Sequence, residues 1–176
     1  MTNKPDIYSR HLRILLPHMK TEIPIFILFR ALGCESDKEI VYHIIDNDNS
    51  TIDMNMLKVL KLSIEEAYEI KTESEAIIYI SKYINNNTHY VQNEEKKINY
   101  VKECILKEFL NHLGQDNRKK VFFTGLMVNK LIKCCMGVIQ FDDRDSYINK
   151  RFETPGYLLG NLTFQCFHKI TKDVRR

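Results

Sequence analysis

The chain has 176 residues, 44% of them hydrophobic and 28% charged, and a formal net charge of +3. This length is enough for one domain with a full hydrophobic core, or for two very small ones. The composition is typical of a soluble globular protein, and the nearly neutral charge excludes a histone-like tail or a polybasic membrane anchor. The longest apolar run, Ile23 to Phe29, is far shorter than the roughly 20 residues that span a bilayer.

The five cysteines indicate free thiols in a reducing compartment. Their number is odd, no Cys-x-x-Cys pair occurs, and the polar start of the chain contains no signal-peptide segment. We therefore expect an intracellular protein without a membrane partner. Isoleucine, lysine and asparagine are used heavily, with 21, 18 and 14 residues. Because their codons are A/T-rich, this usage indicates an A/T-rich genome.

The first part of the chain predicts short elements. Residues 7–19 are mixed in character and favour a strand or an irregular segment. Residues 23–33 allow two interpretations. Their β-branched run favours a buried strand, whereas the closing Ala-Leu-Gly favours a buried helix with a glycine cap, and we favour the helix. Ser36 opens a second predicted helix, which runs to about Ile45, through the Ser-x-x-Glu spacing of a capping box.

The middle of the chain predicts helices joined by polar loops. Residues 46–52 are a predicted turn, and residues 85–93 are a predicted asparagine-rich loop. The predicted helices run from Met54 to Leu62, over 64–70, over 73–84 and from Glu94 to Leu113. The second and third begin at the capping boxes Ser63-x-x-Glu66 and Thr72-x-x-Glu75. The fourth carries one apolar stripe, formed by Ile98, Val101, Ile105, Phe109 and Leu113.

The last part of the chain predicts two further helical segments. A helix from about Asn117 to Met136 ends at Gly137. A Pro155-Gly156 turn then precedes an amphipathic segment from Tyr157 to about Asp173. Together these elements predict a mainly α fold (α+β with a few short strands) in a single domain over residues 1–176.

Segment 117–141 is a candidate for binding nucleic acid, because it contains five cations and no acidic residue. At 100° per residue, Lys119, Lys130 and Lys133 fall within about 60° of each other on one helical face. Such a stripe can lie along a phosphate backbone and release its counterions. The alternative is an ordinary solvated face of a core helix.

The string from 142 to 151 packs three carboxylates and three cations into ten residues. Charges taken out of water need partners, so this density predicts a buried or interfacial charge network. Its members are Asp142, Asp143, Arg144, Asp145, Lys150 and Arg151. A calcium loop that began at Asp143 would need glycine at position 148 and glutamate at position 154, where the chain has Ile and Thr. Ion pairing is therefore favoured over metal binding.

No catalytic site is predicted. The chain contains no phosphate-binding P-loop, no Gly-x-Ser-x-Gly and no Gly-x-Gly-x-x-Gly, and its six histidines are scattered. The pair Cys134-Cys135 and the neighbours Cys166 and His168 lack the spacing of zinc ligands. We therefore expect no metal and no cofactor in this domain.

Four motifs resemble the second-largest subunit of multisubunit DNA-directed RNA polymerases. Residues 21–33, TEIPIFILFRALG, resemble its E-V-P-I-x-x-x-F-R-A-L-G segment, and residues 107–112 resemble its K-E-F-L-x-H. Residues 118–131 resemble R-K-x-x-F-x-G-x-M-x-N-x-L, and the charged string resembles D-D-R-D-H-x-x-K-K-R, although Ser146 replaces the histidine. The matches run in order from about Leu12 to Asp173.

The resemblance implies the lobe of that subunit, a compact helical region that the chain enters and leaves on the same side. Residues 1–22 would be the incoming segment, 23–140 the helical core, and 141–176 a charged strap and return segment towards the protrusion. The implied role is not catalytic, since the polymerase binds its magnesium elsewhere. The lobe would line the cleft near downstream DNA and dock other subunits or initiation factors.

The resemblance and the cationic stripe together lead to a hypothesis on the roles of residues. Arg118, Lys119, Lys130 and Lys133 would contact DNA phosphates, while the charge network would hold the strap. We expect the chain to act in the nucleus. The isoleucine, lysine and asparagine usage and the departures from the family pattern point instead to a large A/T-rich DNA virus, for which the location would be the virion and the cytoplasmic viral factory. Because the chain ends on Arg175-Arg176 without a closing signal, we expect a longer parent protein. The alternative is a free-standing helical module, viral or not, that binds another protein.

Overall fold

The structure is a computed structural model that describes residues 10–45, 51–84 and 94–175. Within these ranges the chain forms seven α-helices and one two-stranded sheet, so the predicted mainly α fold is confirmed. The chain divides into two compact units, of which the first ends at Gln140 and the second starts at Phe141. A single domain with both ends on the same side stays a prediction.

Strand β1 (Arg13–Ile14) pairs antiparallel with β2 (Ile23–Pro24), and helix α1 (Ile25–Ala31) follows β2 directly. All seven residues of α1 are buried, as expected for a helix that is apolar on almost every side. Gly33 then adopts a φ of +102°, a left-handed conformation that glycine takes without a steric penalty, and its N–H donates to Arg30 O. The helical interpretation of this segment is confirmed.

Helix α2 spans Asp37–Ile44, α3 spans Thr51–Glu66 and α4 spans Glu73–Ser81. The capping box at Thr72 is confirmed with both of its hydrogen bonds. Ser36 does precede α2, but its side chain makes no capping hydrogen bond. Of the predicted turn over 46–52, only the last two residues are described and they begin α3, while the predicted loop over 85–93 lies outside the described residues.

The predicted helix start at Ser63 is wrong. Ser63 lies inside α3, which runs on unbroken to Glu66, and its side chain is buried. Its hydroxyl oxygen accepts a hydrogen bond of 2.9 Å from the backbone N–H of Leu12. This long-range partner takes the hydroxyl that a local cap would have used, so the local pattern does not decide the structure.

Helix α5 (Glu94–Glu103) is shorter than predicted, because the chain changes its winding at Cys104–Glu108 into one π-helical turn. Leu110 then adopts a φ of +49°, and a short 3₁₀ turn covers Asn111–Leu113. The single predicted α-helix to Leu113 is therefore wrong in its second half. Its apolar stripe is nevertheless turned inward, because the residues at its middle are buried: Val101, Ile105 and Phe109.

The last two helices are α6 (Asn117–Cys135) and α7 (Pro155–Val174). The end of α6 before Gly137, whose φ is +77°, confirms the prediction. Pro155 and Gly156 do not form a separate turn but open α7, since proline is favoured in the first helical turn. No described helix is both long and apolar enough to cross a membrane.

The core of the first unit is built around α1, which contacts α2, α3 and α4. Arg30 lies on this helix and is only 2% exposed. Its Nη1 donates to the carbonyl oxygens of Ala67 and Ile70 beyond α3, and its Nη2 donates to Asp37 Oδ1 in the first turn of α2. One buried guanidinium therefore joins α1 to α2 and to the turn after α3, and its partners offset the cost of burying the charge.

Replacing Arg30 by methionine should lower the free energy of unfolding by about 3 kcal/mol or more, because it leaves one buried and one partly buried carbonyl oxygen without their donor. Urea titration followed by circular dichroism measures the change. The matched control is Lys61→Met, which removes an exposed cation 3.9 Å from Glu65. That variant should lose less than about 1 kcal/mol. Equal losses in the two variants would contradict the role given to Arg30.

Two buried thiols have raised pKa values. Burial, followed by the negative charge of Glu108 and a hydrogen bond to it, raises the pKa of Cys104 from 9.0 to about 12. Burial and Glu39 raise the pKa of Cys34 to about 11. A pKa that is higher in the folded than in the unfolded chain means that the folded state keeps its proton to higher pH. The stability that each buried, protonated thiol contributes is present in full below pH 9.0. It is lost as the pH rises towards the folded-state pKa values of about 11 and about 12.

The variant Cys104→Ser should therefore lose less of its unfolding free energy than the wild type as the pH rises above 9.0, the ordinary pKa of the thiol. Urea midpoints measured over this range test the expectation. Some loss should persist, because Cys34 still titrates. The exposed Cys135 provides the control, and Cys135→Ser should follow the wild-type curve. A Cys104→Ser curve identical to that of the wild type would disprove the assignment.

Candidate nucleic-acid interface

The outer face of α6 carries the predicted cationic stripe. The inner face of this helix is made by its buried residues: Lys120, Val121, Thr124, Gly125, Val128, Asn129 and Ile132. At 100° per residue the stripe of Lys119, Lys130 and Lys133 lies roughly opposite the centre of that face. Lys119 and Lys130 are exposed and Lys133 is half-buried. Arg118 is exposed as well, but it lies about 100° around the helix from Lys119.

The stripe is not a continuous row of cations. Lys119 and Lys130 are eleven residues apart, or roughly 16 Å along the helix. Between them, on the same side, lie Phe122, which is 64% exposed, and Leu126, which is 39% exposed. The face is therefore basic at its two ends and apolar in its middle. Counting charges in the sequence missed this middle part.

A carboxylate modifies the N-terminal end of the stripe. Asp116 caps α6, and its Oδ1 accepts a hydrogen bond of 3.0 Å from the backbone N–H of Arg118. Its Oδ2 lies 3.9 Å from Lys119 Nζ. Both side chains are exposed, so this pair is weak and Lys119 can exchange it for a phosphate. Asp116 nonetheless lowers the positive potential at this end of the helix.

Close packing against α2 determines which way the stripe faces. A Cβ atom on Gly125 would lie 2.2 Å from the carbonyl oxygen of His43, so only glycine allows the two backbones to approach this closely. One turn later, Asn129 Nδ2 donates a hydrogen bond of 2.6 Å to Ile44 O at the end of α2. The amide satisfies a carbonyl that the helix terminus leaves free. These two contacts fix the rotation of α6 about its own axis.

Lys120 is a structural residue and not part of the candidate site. It is 0% exposed, and its Nζ donates to Ile105 O at 2.7 Å and to Leu106 O at 2.6 Å. Burial lowers the pKa of this ammonium group. Both carbonyls belong to the π-helical turn after α5, so Lys120 supplies donors to oxygens in that irregular turn. Lys120 is one of the five cations of segment 117–141, but nothing in the sequence pattern indicates that its side chain is buried.

The charged string of residues 142–151 is exposed along nearly its whole length. Among the described residues of this string, Arg144 Nε lies 4.0 Å from Asp145 Oδ1, at the outer limit of an ion pair. Asp143 instead organises a local turn, because its side chain accepts from the N–H of Asp145 and its carbonyl accepts from Asn149 Nδ2. A buried network is thus not formed in the described part of the chain. The interfacial version of the network stays a prediction.

Sequence reasoning missed a second cluster of side chains. Cys34, Glu39 and His43 each offer one ligand atom, and these atoms all lie within 4.8 Å of one another. The spacing of Glu39 and His43, four residues apart on one helix, was the available signal. Cys134, Cys135 and Cys166, which the sequence considered and rejected as metal ligands, are free thiols.

Comparison with known proteins decides the family. The chain matches the family described as RNA polymerase Rpb2, domain 2, over residues 1–153. It belongs to this family. The polymerase resemblance of the four motifs is thereby confirmed, and the reading as a free-standing module is not favoured.

Proteins similar to this Rpb2-type chain occur in eukaryotes and archaea. The chain is 38% identical over 170 residues to DNA-directed RNA polymerase II subunit 2 of Arabidopsis thaliana, covering 95% of this chain and 14% of that protein. It is 38% identical over 171 residues to subunit RPB2 of Eremothecium gossypii, covering 96% and 14%. It is 33% identical over 155 residues to subunit Rpo2 of Sulfolobus acidocaldarius, covering 86% and 13%. The chain thus spans about a seventh of these relatives.

The glycine contact between α6 and α2 gives a direct test of the site's geometry. Gly125→Ala should lower the free energy of unfolding by about 1–3 kcal/mol, because its Cβ forces the two helices of this Rpb2-type domain apart. Gly160→Ala is the matched control, since Gly160 also lies inside a helix but a Cβ there meets nothing within 4 Å. That variant should be neutral or gain about 0.5–1 kcal/mol. Thermal unfolding by calorimetry compares them, and a harmless Gly125→Ala would refute the close approach.

Proposed function

We propose that this chain is the lobe of the second-largest subunit of a DNA-directed RNA polymerase, and that it acts through its surface and not through catalysis. The family match over residues 1–153 supports the assignment. The observation that carries the surface role is the outer face of α6, where Lys119, Lys130 and Lys133 lie on one side. Catalytic magnesium would be bound elsewhere in the polymerase. The proposed location is inside the cell, with the rest of that enzyme.

The proposed mechanism at the two basic ends is electrostatic. Lysine ammonium groups and the guanidinium of Arg118 neutralise phosphates without reading bases, so binding is independent of sequence. Each neutralised phosphate releases counterions. In a plot of log K against log salt concentration, each such phosphate therefore makes the slope more negative by about 0.9. Three or four contacts make a weak binder on their own. Such weakness suits a surface along which downstream DNA must move.

The apolar middle of the same face favours a second role, which is docking of a protein. Phe122 and Leu126 contribute little to phosphate binding, but exposed aromatic and aliphatic groups are typical anchors at protein interfaces. The relatives are subunits of DNA-directed RNA polymerases. We propose another polymerase subunit as the docking partner, with initiation factors as a further class.

The salt dependence of DNA binding tests the electrostatic part. Fluorescence anisotropy of a labelled duplex should show weak binding by the chain that does not depend on base sequence and weakens steeply with salt. The triple variant Lys119→Ala/Lys130→Ala/Lys133→Ala should reduce the slope of log K against log salt by about 2.7, or 0.9 for each lost phosphate contact. Phe122→Ala should leave the slope unchanged, because it removes no charge.

The control keeps the net charge equal. Lys61→Ala/Lys102→Ala/Lys107→Ala removes three lysines that are exposed but lie outside α6, and it should change the slope much less. If both triple variants weaken binding equally, DNA affinity depends only on the net charge of the chain, and the stripe is not the interface. If the affinity of the wild type for DNA does not change with salt concentration, electrostatic DNA binding by this surface is excluded.

A further inference from the structure

A cluster of three different donor atoms lies at the start of the helical unit, apart from the cationic stripe. Cys34 is in the short link between α1 and α2, and Glu39 and His43 are one turn apart on α2. Residues four apart on a helix point to the same side, so both reach the link. The sulfur, one carboxylate oxygen and one imidazole nitrogen lie within 4.8 Å of one another.

The donor set is that of a zinc ligand group. Zinc accepts thiolate, imidazole and carboxylate, and it prefers tetrahedral geometry with bonds of roughly 2.0–2.3 Å. A tetrahedron of that size places the donor atoms roughly 3.3–3.8 Å apart. The three donor atoms all lie within 4.8 Å of one another, which is near enough for side-chain rotations to bring them to the spacing of zinc ligands. Three protein ligands leave a fourth position for water.

The backbone around the cluster is held in place before any ion binds. The N–H of Cys34 donates to Phe29 O at 3.0 Å, which fixes the link against the end of α1. The first turn of α2 is held by the Arg30–Asp37 ion pair, and its last turn by Asn129. A site built on such fixed segments loses little entropy when a ligand binds.

The burial of the three side chains gives the ion a route from solvent. Cys34 is buried, His43 is half-buried and Glu39 is exposed. An ion can therefore enter on the carboxylate side while the sulfur remains shielded. The pair Cys104 and Glu108 also places a thiol near a carboxylate, at 3.7 Å. In the described part of the chain, however, it is not completed by a third donor at the same spacing.

We propose that Cys34, Glu39 and His43 bind a Zn²⁺ ion. The ion joins the link after α1 to α2 and stabilises this corner of the fold. It takes no part in nucleotide addition. The proposal does not depend on DNA binding by α6, and its failure would leave that function untouched.

Cobalt is the spectroscopic probe for this site, because Co²⁺ occupies zinc sites and reports its ligands by colour. The reduced 176-residue chain, freed of metal, is titrated with CoCl₂. We expect one ion per chain, a near-ultraviolet charge-transfer band from sulfur to cobalt, and the strong visible bands of a tetrahedral ion. Addition of ZnCl₂ should abolish these bands by displacement.

Variants assign the ligands. Cys34→Ser should lose the charge-transfer band, and His43→Ala and Glu39→Gln should each weaken Zn²⁺ binding by more than about tenfold. The matched control is Cys104→Ser, which removes another buried thiol beside a carboxylate and should keep the band. Circular dichroism of each variant checks that it is folded. If Cys34→Ser does not fold, the loss of Zn²⁺ affinity in His43→Ala tests the proposal instead.

Two results would overturn the proposal. One is the absence of a sulfur-to-cobalt band in the folded wild type. The other is a band that persists in Cys34→Ser and disappears in Cys135→Ser or Cys166→Ser, which would mean adventitious binding to exposed thiols. The salt slope of DNA binding, measured on the same His43→Ala protein, should equal that of the wild type. This comparison separates failure of the metal site from failure of the proposed interface.

Discussion

A positive charge that has no access to water determines how the helical unit is assembled. The guanidinium of Arg30 can be buried only because neighbouring segments present oxygens to it. The turn after α3 presents two carbonyls and α2 presents Asp37. The position of α2 then determines that of α6, through the contact of Gly125 with His43. The outward direction of the lysine stripe is thus a distant consequence of one arginine.

The same solution occurs a second time in the unit. Lys120 places its ammonium group on two carbonyls of the π-helical turn, as Arg30 does on the carbonyls after α3. Both cations serve peptide oxygens in irregular stretches next to regular helices. Irregular backbone is costly to bury because its polar groups lose water. Two long side chains that carry several donors allow this unit to keep such stretches beside its core.

The sequence predicts what is locally determined. Gly33 and Gly137 mark the ends of α1 and α6, and Thr72 caps α4 through neighbours three residues away. It fails where a distant partner decides. Ser63 looks like a cap but bonds to Leu12, and no pattern announces the π-helical turn. At the candidate site, angular spacing predicts that the lysines share a face, but not that Phe122 stands among them. The Cys34 cluster needs the fold, because its sulfur comes from outside the helix.

The neighbours Lys119 and Lys120 meet very different surroundings. Lys119 extends into solvent, whereas Lys120 is closed off from it and bonded to two carbonyls. An amine-reactive reagent can acylate the first residue freely and reaches the second only when the fold opens. The acylation of two adjacent lysines therefore reports two separate events. Protection of Lys119 reports that the outer face of α6 is covered, and acylation of Lys120 reports that the core has opened. Covalent labelling of this chain can detect both without any engineered probe.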